Sequence, residues 1–321
     1  MGYGDYSYEA HEAITQSRQS STASAVFQRN DCDPAMNPRG VRVRESRDSA
    51  GHPESVAIVF ALDVSGSMGE IPHQLATRTL PTFMANVTTL VPAPQVLFLA
   101  FGNAYTDSSP LQVGQFESEA KLIDRWLSAT HLEGAGGGLG ESYDLAMFFA
   151  SRHTAMDCLE KRNKKGYFFM TGDEVPFMEV NRGQVSGLIG GQLQESTLFV
   201  HDLAKELQEK FHTFFLIPDA KRAATENCGS VWTLLFRERC IVLESSEDTA
   251  AVCALCVGIQ EGVLKDRAAL TRQIEEKLGQ TGEARDRLLR TVTPFAEALA
   301  KGPIAAPGSL SRRTDNPDVK G

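Results

Sequence analysis

Apolar runs about the length of a strand recur along this chain, and most are followed by a segment with helical spacing. The first, Ser55-Val-Ala-Ile-Val-Phe-Ala-Leu62, is unbroken and rich in β-branched residues, which predicts a strand buried on both faces. A helix is expected over 71–91, then a strand over 94–101 and a shorter polar-apolar strand over 111–116 that suits a sheet edge. A helix over 117–130 precedes a long one over 141–161, whose apolar face carries Leu145, Ala146, Phe148, Phe149 and Met156. Further strands at 166–170, 213–217 and 240–243 alternate with helices at 223–238 and 248–263. That alternation predicts an α/β fold with a parallel sheet and right-handed crossovers.

The flanks read differently. Residues 1–53 are rich in Ser, Asp, Arg and Gly, so they are expected as a polar, partly extended arm. Within it, Gly40-Val-Arg-Val-Arg-Glu-Ser-Arg47 alternates Val with Arg, which fits a short edge strand with its arginines in water or in contact with an acidic partner. The α/β domain is placed at 54–263. A connection at 175–210 is longer than usual and carries helical patterns near 184–189 and 199–210. Charged helical segments at 264–278 and 283–300, the second interrupted by Pro294, form an extension that packs back on the domain or serves as a docking arm. Residues 301–321, with Pro303, Pro307, Gly308 and Pro317, are expected as a flexible tail.

A formal net charge of -9 opposes a general role on nucleic acid or anionic membranes, so neither is an expected partner. No segment approaches the ~18 apolar residues of a membrane-spanning helix. The six cysteines are scattered through regular segments and no early apolar stretch has the form of a signal peptide, which favours a cytoplasmic location. Met1-Gly2 lacks the Ser or Thr that acylation would want at position 6, where Tyr6 stands. Cys253-Ala-Leu-Cys256 lies in an apolar helical pattern and reads as core.

Candidate chemistry sits where the first strand ends. Asp63-x-Ser65-x-Ser67 can aim one carboxylate and two hydroxyls at a common point, with Gly66 easing the turn. Oxygen donors of this kind suit a hard divalent cation, magnesium first and manganese or calcium by the same donors. The plainer alternative is that Ser65 and Ser67 cap the following helix. A second apolar strand, 166–170, runs into Asp173 and Glu174, and ligands in open α/β sheets collect at the carboxyl ends of the strands.

These residues resemble the von Willebrand factor A domain with its metal-ion-dependent adhesion site, over roughly residues 54–261. The resemblance implies a Rossmann-like, doubly wound, mostly parallel six-stranded sheet in the order 3-2-1-4-5-6, the third strand antiparallel. It assigns metal ligation to Asp63, Ser65, Ser67 and Asp173. The family's usual threonine is missing from His131-Leu-Glu-Gly-Ala-Gly-Gly-Gly-Leu-Gly-Glu-Ser142, so Glu141, Ser142 or water would substitute, or this segment is a flexible connection that only starts a helix. Thr171-Gly-Asp-Glu174 inverts the family's more frequent Asp-Gly order, which leaves Glu174 as the alternative ligand.

The implied function is a cation-dependent protein-binding module, not an enzyme, in a bacterial cytosolic stand-alone protein. Its metal would bridge to a carboxylate on a partner, such as an AAA+ ATPase or a member of a multi-protein assembly. Two alternatives stand beside it. One is a scaffold that needs no metal; the other is a metal-dependent phosphoester hydrolase with Glu174, Glu141 or His131 as base. No phosphate-cradling Gly-x-x-x-x-Gly-Lys loop supports the latter.

Overall fold

Eight strands are present among the residues described by the computed structural model, which are 4–66, 68–133 and 140–308. They are β1 (Arg44–Ser46), β2 (Val56–Asp63), β3 (Pro94–Phe101), β4 (Leu111–Val113), β5 (Thr154–Met156), β6 (Gly166–Thr171), β7 (Phe211–Ile217) and β8 (Cys240–Val242). Six of them form the main sheet in the order β4-β3-β2-β6-β7-β8, with β4 antiparallel to β3 and every other pair parallel. Counted within that sheet, the order is the 3-2-1-4-5-6 that the resemblance implies. The first and fourth strands, β2 and β6, are therefore neighbours, and their carboxyl ends open on the same edge.

The two-residue period of β2 explains its sequence. Val56, Ile58, Phe60 and Leu62 face one core layer, made with the helices Leu80–Leu90, Thr249–Gln260 and Gly282–Lys301. Ala57, Val59 and Ala61 face the other, made with Tyr143–Arg152, Val200–Lys210 and Cys228–Phe236. Phe60 lies among Phe83, Phe98 and Phe169 at ring separations of 5.0, 5.6 and 5.7 Å. Burying each such ring contributes about 1.5–3 kcal/mol.

Several elements depart from the pattern. The single helix expected over 141–161 is two helices, Tyr143–Arg152 and Asp157–Arg162, separated by β5. The break comes because β5 pairs in parallel with β1, and the Thr154 hydroxyl donates to the Ala150 carbonyl at 2.6 Å. At 43–44, where the chain enters β1, burial is reversed from the expected alternation. Arg44 is buried and donates to the carbonyls of Ala35 and Val113, whereas Val43 is exposed. Arg47 leaves the water for Asp157 and Glu160, so two of these arginines pin the arm to the domain.

The polar first segment also contains helices, Tyr8–Ser17 and Ala23–Val26, the first anchored by the fully buried His11. The helix expected over 223–238 is interrupted at Glu226 and Asn227, which both take positive φ. Pro294, expected to interrupt its helix, lies within the continuous helix Gly282–Lys301. It sits on the exposed side, and the carbonyl that loses a donor belongs to the exposed Arg290. This helix packs on the sheet through Phe295, edge-on to Phe214 at 5.0 Å. The chain then returns, and Gly308 donates to the Leu234 carbonyl at 2.9 Å.

Cys253 and Cys256 are buried, and all six cysteines are free. Among the described residues no helix is long and apolar enough to cross a membrane.

Candidate functional site

β2 is buried along its whole length, so Asp63 at its tip reaches the carboxyl edge with no exposed surface of its own. One of its oxygens accepts from the Ser65 backbone N–H at 2.9 Å, and the other accepts from the Tyr143 hydroxyl at 3.2 Å. Burial pushes the Asp63 carboxyl up to about 7; the nearby Asp173 charge also raises it, while the hydrogen bonds from Ser65 and Tyr143 oppose the shift. The turn is then closed by Met68 and Gly69, whose N–H groups both donate to the Ser65 carbonyl.

Tyr143, at the start of its helix, ties this tip to the next. Its hydroxyl also accepts from the backbone N–H groups of Asp173 and Glu174, each at 3.2 Å. The ring is walled by Phe101, Phe215 and Trp232. A Cβ at Gly172 would come within 2.4 Å of that ring, so the glycine before Asp173 is what admits the tyrosine. This gives a steric reason for the Thr-Gly-Asp-Glu order.

Four carboxylates gather around the two tips. Asp173 Oδ2 pairs with Arg222 at 2.9 Å, while its Oδ1 is buried without a hydrogen-bond partner. Glu174 accepts from the Gly140 N–H at 2.5 Å, and burial raises its carboxyl. Glu141 is buried with Oε2 unpartnered and is pushed up to about 9, first by burial and then by the charges of Asp63, Asp107, Glu174 and Asp173. Ser142 turns elsewhere: its hydroxyl accepts from the Ala104 N–H at 2.9 Å and fastens the loop after β3. Asp63, Ser65, Asp173, Glu174 and Glu141 are thus brought together, and Ser142 supports the neighbouring loop. Ser67 and the glycines at 134, 136, 137 and 138 lie outside the described residues.

Sequence reasoning missed Tyr143 and Arg222. Arg222 follows β7 in the short helix Ala220–Ala224, capped by Asp219. The strand order puts the β7 tip beside the β6 tip, so a basic residue just after β7 was the available signal. Tyr143 carried no signal beyond its place at the end of the glycine-rich segment.

A hard cation fits this donor set on one structural observation: buried carboxylate oxygens of Asp173 and Glu141 have no partner beside an equally buried Asp63. Among the described residues no three His, Cys, Asp or Glu side chains converge as metal ligands, so a cation here would also need hydroxyl and water oxygens.

No family model matches the chain, and no curated protein does. Solved structures similar to it include the pilus adhesin SpaC from Lactobacillus rhamnosus GG, at 12% identity and TM-score 0.45 over 68% of this chain and 32% of that one. An open conformation of the same adhesin gives 12% identity and TM-score 0.42 over 68% and 31%. A von Willebrand factor type A protein from Catenulispora acidiphila gives 11% identity and TM-score 0.33 over 65% and 43%. The chain spans about a third of the adhesin it matches. Strand order and register, rather than overlays at this level, carry the fold.

Proposed function

We propose that this chain is a protein-binding module whose docking point is a hard divalent cation, magnesium first, held between the tips of β2 and β6. Asp63 and Ser65 would hold it from one side and Asp173 from the other, with Ser67 contributing by its place in the motif. The observation that carries this reading is the set of buried, unpartnered carboxylate oxygens at Asp173 and Glu141 next to Asp63. Burial first, and the charges of neighbouring acids second, hold Asp63 and Glu141 toward their protonated forms, and a bound cation would favour the ionised ones. When bound, the ion would offer a coordination position to an acidic side chain of a partner protein, such as an ATPase or another member of an assembly.

The chain's own groups prepare that site. The Ser65 N–H and the Tyr143 hydroxyl fix both oxygens of Asp63, and Gly172 gives Tyr143 its place. Glu141, whose carboxyl is pushed up to about 9, holds its proton near neutral pH and would add negative charge only on releasing it to a bound cation. A specific observation favours a second reading, a scaffold that needs no metal. The Arg222 guanidinium already neutralises Asp173 at 2.9 Å.

Calorimetric titration with magnesium and manganese chlorides separates the two. The binding-module reading expects a saturable heat that disappears in Asp63→Ala and Ser65→Ala. A flat titration of the unaltered chain would instead favour the scaffold. Partner capture should then fall on adding a chelator while the domain stays folded.

A further inference from the structure

At the amino ends of β6 and β7, the opposite edge of the sheet, a cleft of about 720 Å³ opens between the main domain and the C-terminal extension. Ligand pockets occupy ~300–1,000 Å³, so its size suits a small molecule. It lies the length of β6 from the acid cluster, about 20 Å for six residues at strand rise.

The cleft has an apolar side and a basic side. Phe211, Leu299, Pro303 and Ile304 supply the first, and Lys165 and Arg239 the second. Arg239 is only 9% exposed and its Nε is buried without a hydrogen-bond partner. One terminal nitrogen donates to the Gln260 side chain at 2.9 Å, and the guanidinium lies 5.8 Å from the rings of both Phe214 and Phe295. Lys165 donates to the Gln208 carbonyl. Among the described residues neither cation has a carboxylate ion pair, although Glu209 also lines the cleft. Lys205, at the rim, is already paired with Asp202 at 2.9 Å.

An unpaired, largely buried guanidinium is expensive unless something anionic meets it. His212, in the same wall, reports the local field. Burial, then the charges of Arg239, Lys165 and Lys164, push its imidazole down to about 3.

We propose that this cleft binds a small anionic amphiphile, with a phosphate or carboxylate head at Arg239 and Lys165 and a hydrocarbon body along Phe211, Leu299 and Ile304. Neutral polar molecules would leave the buried guanidinium unpaired, and polyanions would leave the apolar wall uncovered. The extension is part of the site. Its last helical turn and the returning chain from Gly302 to Gly308 form the wall that the α/β domain lacks.

The test is calorimetric titration of the full chain with decyl phosphate and decanoate below their micelle concentrations and with decanol below its solubility limit. Saturable one-to-one binding of at least one anion is expected, with decanol about tenfold weaker or worse, as loss of a charge-assisted hydrogen bond implies. Arg239→Gln should abolish anion binding. Because Arg239 also packs on two phenylalanines, two variants at partly exposed positions accompany it. Lys165→Met should weaken the anion several-fold, and Ile304→Trp should obstruct the body. No saturable heat with either anion, decanol binding as tightly, or binding unchanged in both Lys165→Met and Ile304→Trp would overturn the proposal.

Discussion

The two edges of the main sheet carry opposite chemistry. At the carboxyl edge, acids from β2, β6 and the segment before Tyr143 crowd together with Arg222 as their neighbouring cation. At the amino edge, Lys165 lines the same cleft as Arg239, whose largely buried guanidinium lies against two aromatic rings, and neither has a carboxylate ion pair among the described residues. A fold chosen for stability alone would cancel such charges or replace them with apolar groups. At one end burial holds Asp63 and Glu141 toward their protonated forms beside the Arg222–Asp173 pair, and at the other a largely buried guanidinium has no carboxylate ion pair among the described residues, which is the contrast on which the two proposals rest.

The largest test of this contrast removes the packing behind one edge. Phe295→Ala, at a side chain 1% exposed, should cost about 3–5 kcal/mol in urea unfolding. A loss well below 1 kcal/mol would mean that the extension does not fold cooperatively with the sheet, and the amino-edge cleft would lose its wall.

Next in size, the two edges should respond oppositely to pH. Asp63 and Asp144, both fully buried, are raised to about 7 by burial, so the folded chain keeps protons that the unfolded chain releases above pH ~4. Their stabilising contribution is complete below that pH and is lost as pH rises through about 7. The ceiling for Asp63 is on the order of 4 kcal/mol. His212, in the wall of the amino-edge cleft, is lowered to about 3, chiefly by burial. Unfolded histidine takes up protons below pH ~6.5, so this contribution is present above that value and lost as pH falls toward the folded value. Asp63→Asn should flatten the fall in urea midpoint between pH 5 and 8, and His212→Gln the fall between pH 6 and 4. Unchanged profiles would sink the assignment.

A smaller effect is expected from Tyr143→Phe. It strands two backbone N–H groups and removes a donor from Asp63, which should cost about 1–3 kcal/mol. An unaltered midpoint would show that the hydroxyl does not join the tips. Smallest is Arg222→Met. Freeing Asp173 from its cation should raise magnesium affinity about three- to tenfold, and a decrease would make the guanidinium a support rather than a competitor.

The carboxyl edge was largely legible because its candidate residues lie close together in sequence. Asp63 and Ser65 follow one apolar run, Asp173 and Glu174 another, and strand order joins them. Tyr143 and Arg222 were hidden because their roles depend on which strands adjoin, through the space at Gly172 and the β6–β7 pairing. The break at His153 was hidden too, since Phe148, Phe149 and Met156 continue the apolar pattern while β1 supplies the reason from over a hundred residues away. Arg44 misled for a related cause. Its burial depends on carbonyls of Ala35 and Val113, which no local alternation can reveal. The amino-edge cleft had no motif at all, being assembled from separate segments.

The helix Tyr143–Arg152 is fastened at both extremities. Its first residue grips two strand tips, and its last, Arg152, holds Glu195 and Glu206 across the long insertion. Ten residues of one helix thus join the strand tips to the insertion, so a variant that loosens Arg152 is expected to be felt at Tyr143 through the backbone of a single rod.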